Sequence, residues 1–283
     1  MEDNFKYLKE LLSTSTGTEG SLLIEKTIYP TLIDEYLKKL IPRTEAAIVI
    51  TNVPGSSIDL DLVTNNKLKV RQIAEGSEIT LDQAEYSSSN FKPLKYGVGI
   101  KITREMLEDG KWDLLNHNIM LAGRRMAENE NSLVISALDG AANTVSGGAT
   151  VTLGNIIRAM QYLTDVDSTP TTMVFGPEVH SDLLNLEGFQ KVSYAGTDET
   201  LRGGTIGQLF GMKLVGPISA NAGITTTSSY VFDKNFAYVI VEKRPITVEN
   251  YDIKSHDLSA AVVTQRITVG ALRTNAIAKI TSS

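Results

Sequence analysis

The chain contains no cysteine, which excludes disulfide bonds, cysteine-ligated zinc, iron–sulfur clusters and thiol catalysis. Histidine is scarce as well. The three histidines, His117, His180 and His256, lie far apart in the sequence and lack the HxxxH or HxH spacing that is typical of metal sites. We therefore interpret each as a surface or packing residue, and we predict no metal site and no cofactor.

Long apolar runs and an excess of positive charge are also missing. No apolar run approaches the roughly 20 residues that a membrane-spanning helix needs. The acidic start, Met1-Glu2-Asp3-Asn4, lacks the basic-then-apolar order of a secretory signal. The formal net charge is −6, whereas nucleic-acid binders usually show a basic balance. We expect a protein that is made and kept in a cytoplasm, with no membrane partner and no sequence-specific nucleic-acid contact.

Sequence patterns of known catalytic sites are absent. The glycine-rich run at 203–207 is followed by Gln208-Leu209-Phe210, which supplies no lysine-bearing helix start, so it predicts a loop rather than a phosphate cradle. Carboxylate pairs occur, but none is set apart as a general acid. We predict no catalytic residue and no enzyme activity, although a soluble α+β enzyme remains the alternative from another functional class.

The clearest helix is predicted for residues 111–138. Its apolar residues recur at steps of three and four: they are Trp112, Leu115, Ile119, Ala122, Met126 and Leu133. Charged residues such as Glu128 and Glu130 are expected on the remaining faces. At about 1.5 Å per residue the helix is roughly 40 Å long, which is longer than most globular helices. We interpret it as a spine of the fold.

Shorter elements follow in an α+β order. A second helix is predicted to place Ile156, Ile157, Met160 and Leu163 on one face, with Thr152 as N-cap. A strand is predicted at 172–175 and a third helix from Pro177. Residues 230–248 and 261–280 are rich in β-branched and aromatic residues, which favours strands.

A charged hairpin is predicted near residue 65. Residues 58–62 and 67–71 each alternate strictly between apolar and charged side chains, and the polar triplet 64–66 separates them. Strict alternation predicts strands and the triplet predicts a turn. Because an isolated two-stranded hairpin is marginal in water, its apolar stripe needs another surface. That surface is either the chain's own sheet or a neighbouring subunit.

The predicted register of this hairpin opposes unlike charges. Folding about residue 65 sets Asp61 opposite Lys69 and Asp59 opposite Arg71. Each exposed pair stabilises the hairpin by at most about 1 kcal/mol. If the hairpin reaches a neighbouring subunit, its charged residues form an assembly interface: they are Asp59, Asp61, Lys67, Lys69 and Arg71.

Several further motifs follow one another in a fixed order from about residue 45 to the C-terminus. They are Ala74-Glu75-Gly76, 86–109, 120–130, Ala137-Leu138-Asp139-Gly140, Val174-Phe175-Gly176-Pro177, 209–215, 233–241 and 266–280. Their order and spacing resemble the Hong Kong 97-like major capsid fold of tailed bacterial and archaeal viruses. The same fold also forms encapsulin nanocompartments and herpesvirus capsid floors.

This resemblance implies an α+β fold with four parts. Residues 1–45 would form an N-terminal arm, and residues 46–97 the extended hairpin, or E-loop, that lies over an adjacent subunit. Residues 98–150 and 234–268 would form the P-domain, which contains the spine helix. Residues 151–233 and 269–283 would form the A-domain around the capsomer axes.

The function that the resemblance implies is that of a major capsid protein. Copies of the chain would assemble through pentamers and hexamers into the icosahedral head shell of a tailed double-stranded DNA virus. The shell would enclose DNA without sequence-specific binding, and scaffolding, portal and decoration proteins are the further partners implied. The expected location is the virion, with assembly in the host cytoplasm.

Two departures and one alternative qualify the resemblance. One family member cross-links its subunits through a lysine and an asparagine, but Ile253 occupies the position matching that asparagine, so we expect no such cross-link. Residues 1–45 alone precede the matched region, so we expect scaffolding to be a separate protein or absent. The alternative is an encapsulin-like shell around a cargo enzyme, with residues 4–12 as the helix that docks cargo. We favour the virus because Ala74-Glu75-Gly76 and the A-domain pattern look more like phage capsids.

Overall fold

The computed structural model describes residues 32, 36, 40–41, 43–65, 70–73, 78, 81–82, 85–103, 113–186, 208–253 and 258–282. The helices in this part of the chain are α1 (Asp113–Leu138), α2 (Leu153–Thr164) and α3 (Pro177–Leu184). The strands are β1 (Ile48–Thr51), β2 (Ile58–Asn65), β3 (Glu85–Phe91), β4 (Leu94–Thr103), β5 (Asn143–Gly148), β6 (Thr172–Phe175), β7 (Gln208–Leu209), β8 (Met212–Val215), β9 (Ser228–Phe232), β10 (Tyr238–Ile253), β11 (Leu258–Ala271) and β12 (Ile277–Ser282). The α+β prediction is confirmed.

The longest strands build a four-stranded sheet in the order β1-β10-β11-β4. β10 and β11 are antiparallel, from Tyr238 opposite Ala271 to Ile253 opposite Leu258. The register shifts around Pro245, which has no N–H to donate to the ladder. β4 closes one edge antiparallel to β11, and the short β1 runs parallel to β10 at the other edge.

Helix α1 lies against one face of this sheet and confirms the predicted spine. Ile119, Ala122 and Met126 are buried and pack with Ile246 of β10 and Val263 of β11. Further along, the helix buries Val134, Ile135 and Leu138 in a second cluster that also includes Tyr230 of β9 and Tyr238 of β10. Because β9 belongs to the other sheet, this core joins the two sheets.

The second sheet has six strands in the order β5-β12-β9-β6-β8-β7, with α2 and α3 packed on it. All four residues of β6 are buried, and α3 begins at Pro177 as predicted. Helix α2 buries Ile156, Ala159 and Leu163. The predicted face is wrong at Ile157, which is 53% exposed because it lies one helical step beyond the buried stripe.

The first strand of the predicted hairpin is confirmed, whereas most of its predicted second strand, residues 67–69, lies outside the described residues. β2 pairs with β3 in a two-stranded ribbon, with Asp59 opposite Asn90 and Asp61 opposite Ser88. Residues 70–73 are not in a strand. β2 pairs with β3 because of contacts far away in sequence. β3 runs through Pro93 into β4, and the pairing of β4 with β11 holds β3 beside β2.

Candidate assembly surface

An apolar root cluster anchors the ribbon on the four-stranded sheet. It consists of Val53, Phe91, Val239 and Val241, all at least nine-tenths buried. Ile58 and Leu60 of β2 pack against it, whereas Asp59 between them is exposed, as the alternation predicts. Burial of the root cluster therefore sets where the ribbon leaves the body of the protein.

Gly270 of β11 makes room for the root cluster. A Cβ at this position would overlap the edge of the Phe91 ring, where Cδ1 would be only 2.7 Å away. We predict that Gly270→Ala destabilises the subunit by about 1–3 kcal/mol, because the ring must leave its site or the backbone must shift. Chemical denaturation of the unassembled subunit measures this cost.

A Phe91→Ala background provides the matched control for Gly270→Ala. Without the ring there is no overlap, so the added methyl group should then cost little. Equal costs in the two backgrounds would show that Phe91 does not pack on Gly270.

Of the two predicted charge pairs, Asp59 with Arg71 is not formed, because each residue has another partner. The exposed Asp59 carboxylate accepts a hydrogen bond from Asn90 Nδ2 at 2.5 Å. Arg71 pairs instead with Asp82, with 3.0 Å between Nη1 and Oδ2. Lys67 and Lys69 lie outside the described residues. The pair of Asp61 with Lys69 therefore stays a prediction, and the strand described opposite β2 is the serine-rich β3.

Large apolar side chains are exposed near Arg71. Val70 is fully exposed, Leu81 is 92% exposed and Ile73 is 44% exposed. Scattered exposed apolar residues are normal on a protein surface. Three such side chains lie in the segment that connects β2 and β3, and two of them are almost wholly in water.

A buried polar network ties the segment before β1 to α1 and the four-stranded sheet. Arg43 donates to Glu130 through Nε at 2.8 Å and Nη2 at 2.9 Å, and to Glu242 of β10 through Nη1 at 2.6 Å. Tyr36 and Gln265 also donate to Glu130. The prediction that Glu130 lies on an exposed face of α1 is wrong: its carboxylate is 1% exposed and accepts these hydrogen bonds from three side chains.

The protonation states of this network follow from burial and charge. Burial, followed by the charge of Glu130, raises the pKa of the Tyr36 phenol above its ordinary value, so the hydroxyl remains a donor. Burial alone lowers the pKa of Arg43. The hydrogen bonds to Glu130 and the charge of that carboxylate raise the pKa by more than burial lowers it, so the net shift is upward. The guanidinium therefore stays charged.

The same segment also contacts the six-stranded sheet through Glu45. The buried carboxylate accepts hydrogen bonds from Thr172 Oγ1 of β6 and Lys213 Nζ of β8, each at 2.6 Å. Burial raises the pKa of Glu45, but the bonds from Lys213 and Thr172 outweigh it and bring the pKa below its ordinary value. Residues 43–45 thus connect α1 and both sheets. No periodicity in the sequence indicates this role.

The described residues present no metal-binding group of histidine, cysteine, aspartate or glutamate side chains. His117 is exposed on α1, and His180 stacks on Phe175 with 5.9 Å between ring centroids. His256 lies outside the described residues. Among the helices that are described, none is long and apolar enough to cross a membrane.

Comparison with known proteins identifies relatives over most of the chain. A family model described as phage capsid protein matches residues 85–280. None of the curated proteins matches the chain. A solved structure from Mycobacterium phage Che8 is similar, with a TM-score of 0.65 at 15% sequence identity, covering 80% of this chain and 85% of that chain.

Two further solved structures are similar over nearly their whole length. The mature capsid of bacteriophage PhiM1 has a TM-score of 0.64 at 13% identity, covering 86% of this chain and 87% of that one. A virus-like particle from Pyrococcus furiosus has a TM-score of 0.61 at 16% identity, covering 90% and 98%. At such low identities, these likenesses show a shared fold.

Proposed function

This chain belongs to the phage capsid protein family and has the Hong Kong 97-like fold, and we propose that it is the major capsid protein of a tailed double-stranded DNA virus. The observation that carries the proposal is the family match over residues 85–280. Copies of the chain assemble through pentamers and hexamers into an icosahedral head shell. In this proposal the protein has a structural role and no catalytic one.

Each part of the fold has its own role in assembly. The ribbon of β2 and β3 is the extended hairpin that reaches a neighbouring copy. Helix α1 and the four-stranded sheet form the P-domain, and the six-stranded sheet with α2 and α3 forms the A-domain around the capsomer axes. Closed symmetry repeats each modest contact many times, so weak interfaces add up to a stable shell.

The predicted interface residues keep their proposed role in a revised arrangement. Asp59, Asp61, Lys67, Lys69 and Arg71 face a neighbouring copy, together with the exposed Val70 and Leu81 side chains. Since Arg71 pairs with Asp82 and the Asp59 carboxylate contacts the neutral Asn90 amide, Asp59 is available to a basic surface elsewhere.

The remaining partners follow from the same proposal. The shell encloses DNA by confinement, which a chain of net charge −6 allows because no specific phosphate contact is required. Scaffolding, portal and decoration proteins complete the particle, and assembly takes place in the host cytoplasm.

Size exclusion followed by negative-stain microscopy of the expressed chain tests this proposal. Closed shells or capsomer-sized rings are the expected result. A monomer that persists across salt concentrations, with crowding agents and with co-expressed candidate scaffolds would contradict it.

A second candidate is an encapsulin-like shell, which the likeness to the Pyrococcus furiosus virus-like particle favours. The two candidates differ in what the shell encloses. Particles recovered from native producing cells should contain DNA in the first case and a cargo protein in the second.

A further inference from the structure

Three positive charges stand in one row on the face of the four-stranded sheet that is opposite α1. Arg244 of β10 pairs with Arg266 of β11, which pairs with Lys95 of β4. Directly opposed residues of antiparallel strands project from the same face, with Cα atoms about 4.5–5.5 Å apart. Gln265 points to α1, where it contacts Glu130, so Arg266 points away from the helix. We call Arg244, Arg266 and Lys95 the cationic row.

The row has no carboxylate partner among the described residues. Arg244 Nη2 donates to Thr264 Oγ1 at 2.6 Å, and Arg266 Nη2 donates to the Pro93 carbonyl at 3.3 Å. Arg244 Nε is buried and makes no hydrogen bond within the part of the chain that is described. Like charges directly opposite one another destabilise a sheet. The subunit alone therefore leaves this row repulsive and its donors partly unused.

A shallow trough lies beside the row along the edge strand β4. Lys95, Gly97, Gly99 and Lys101 alternate onto the same face, and all four are exposed. A Cβ built on Gly99 would meet no atom within 4 Å. The backbone at Gly99 is therefore open to close approach by another chain, whereas Gly97 packs closely on Thr264 and the Val263 carbonyl.

We propose that the cationic row and the trough receive carboxylate side chains from a second copy of this chain. The inference rests on the proposed function, and it specifies which surface of the sheet takes part in assembly. The occupant follows from charge: each copy carries 33 acidic against 27 basic residues. A cationic site on one acidic subunit is complementary to the rest of another.

Of the neighbouring residues on this face, Tyr251 favours a protein over nucleic acid. Glu249 lies opposite Val262, and Tyr251 lies opposite Ala260, so both project beside the row. The Glu249 carboxylate repels phosphate and carboxylate alike, so it limits anion binding to the row itself and does not distinguish the two occupants. The Tyr251 side chain is 49% exposed and offers an apolar contact that a protein partner can use.

The first test is Lys95→Glu, measured on both the unassembled subunit and the assembled shell. A glutamate at position 95 places a carboxylate opposite Arg266, which relieves the repulsion within the row. We expect the melting temperature of the subunit to stay the same or rise, while shell yield falls at least tenfold. A structural role for Lys95 predicts that both quantities fall together, and that outcome would overturn the inference.

Gly99→Val tests the trough without changing any charge. The site is open and a β-branched residue suits a strand, so the subunit should fold normally and shell yield should fall several-fold. Lys234→Gln is the control for the charge change in Lys95→Glu. It removes a positive charge outside the row, because Lys234 is an exposed cation on the turn between β9 and β10. It should leave shell yield unchanged, and an equal loss in this control would refute a specific role for the row.

Anion binding by the unassembled subunit separates this inference from the proposed function. Citrate, compared with chloride at equal ionic strength, should raise the melting temperature of the wild type and not that of Lys95→Glu. An equal effect of citrate on the two proteins would refute the carboxylate site even if wild-type shells form. A DNA duplex that binds the wild type but not the variant would assign the row to phosphate and overturn the second copy as occupant. If the subunit binds citrate but forms no shells under any condition, the proposed function is contradicted. The inference that a second copy occupies the row is then contradicted as well.

Discussion

Replacing Glu130 with alanine is expected to destabilise the subunit by about 3–5 kcal/mol, the usual cost of removing one partner from a buried ion pair. The Arg43 guanidinium would lose both of its bonds to Glu130 and keep its bonds to Glu242 and to the Tyr36 hydroxyl. The buried Tyr36 hydroxyl would lose its acceptor as well, and the Gln265 amide would keep only its 3.3 Å bond to that hydroxyl. Urea denaturation followed by circular dichroism measures the loss.

Two further variants separate the charge of Glu130 from its packing. Glu130→Gln keeps the shape and one acceptor oxygen, so it should cost less than the alanine variant. The triple variant Arg43→Met, Glu130→Met and Glu242→Met replaces all three charged groups by apolar ones and should recover much of the stability, because the buried Glu242 carboxylate is then not left without its Arg43 partner. Equal losses in all three variants would mean that the ion pair does not determine the stability of this region.

The second large effect is expected for Met126→Asp, which should abolish the folded subunit. Met126 is 1% exposed in the middle of α1 and packs between the helix and the four-stranded sheet. Loss of its packing costs about 2–5 kcal/mol, and burial of an unpaired carboxylate adds further to that cost. A typical domain is stable by only about 5–15 kcal/mol, so expression in soluble form should fail.

Met126→Leu is the matched control, because it conserves volume and should cost less than about 1.5 kcal/mol. Soluble expression and far-ultraviolet circular dichroism compare the two variants. A soluble Met126→Asp protein with native helix content would contradict the assignment of α1 as a buried spine.

The elements that were predictable from the sequence are those whose signal is local. Helix α1 follows from apolar residues at helical spacing, and Ile119, Ala122 and Met126 are buried as that spacing requires. Strand β6 and the Pro177 start of α3 follow from short local signals. The family could also be predicted, because its motifs occur in a characteristic order.

The features that could not be predicted depend on partners far away in sequence. Residues 67–71 alternate like a strand, but alternation does not specify which strand pairs with β2, and β3 is held there by the sheet that follows it. The burial of Glu130 depends on Arg43 and Gln265, which lie 87 and 135 residues away. The cationic row likewise appears only once the register of β4, β10 and β11 is known.

The measurement that most directly tests the central claim is a cryo-electron microscopy reconstruction of particles assembled from this chain. We predict a closed icosahedral shell of pentamers and hexamers in which the ribbon of β2 and β3 lies on an adjacent copy. Particles without icosahedral symmetry, or a ribbon folded back onto its own subunit, would contradict this account of how the chain assembles.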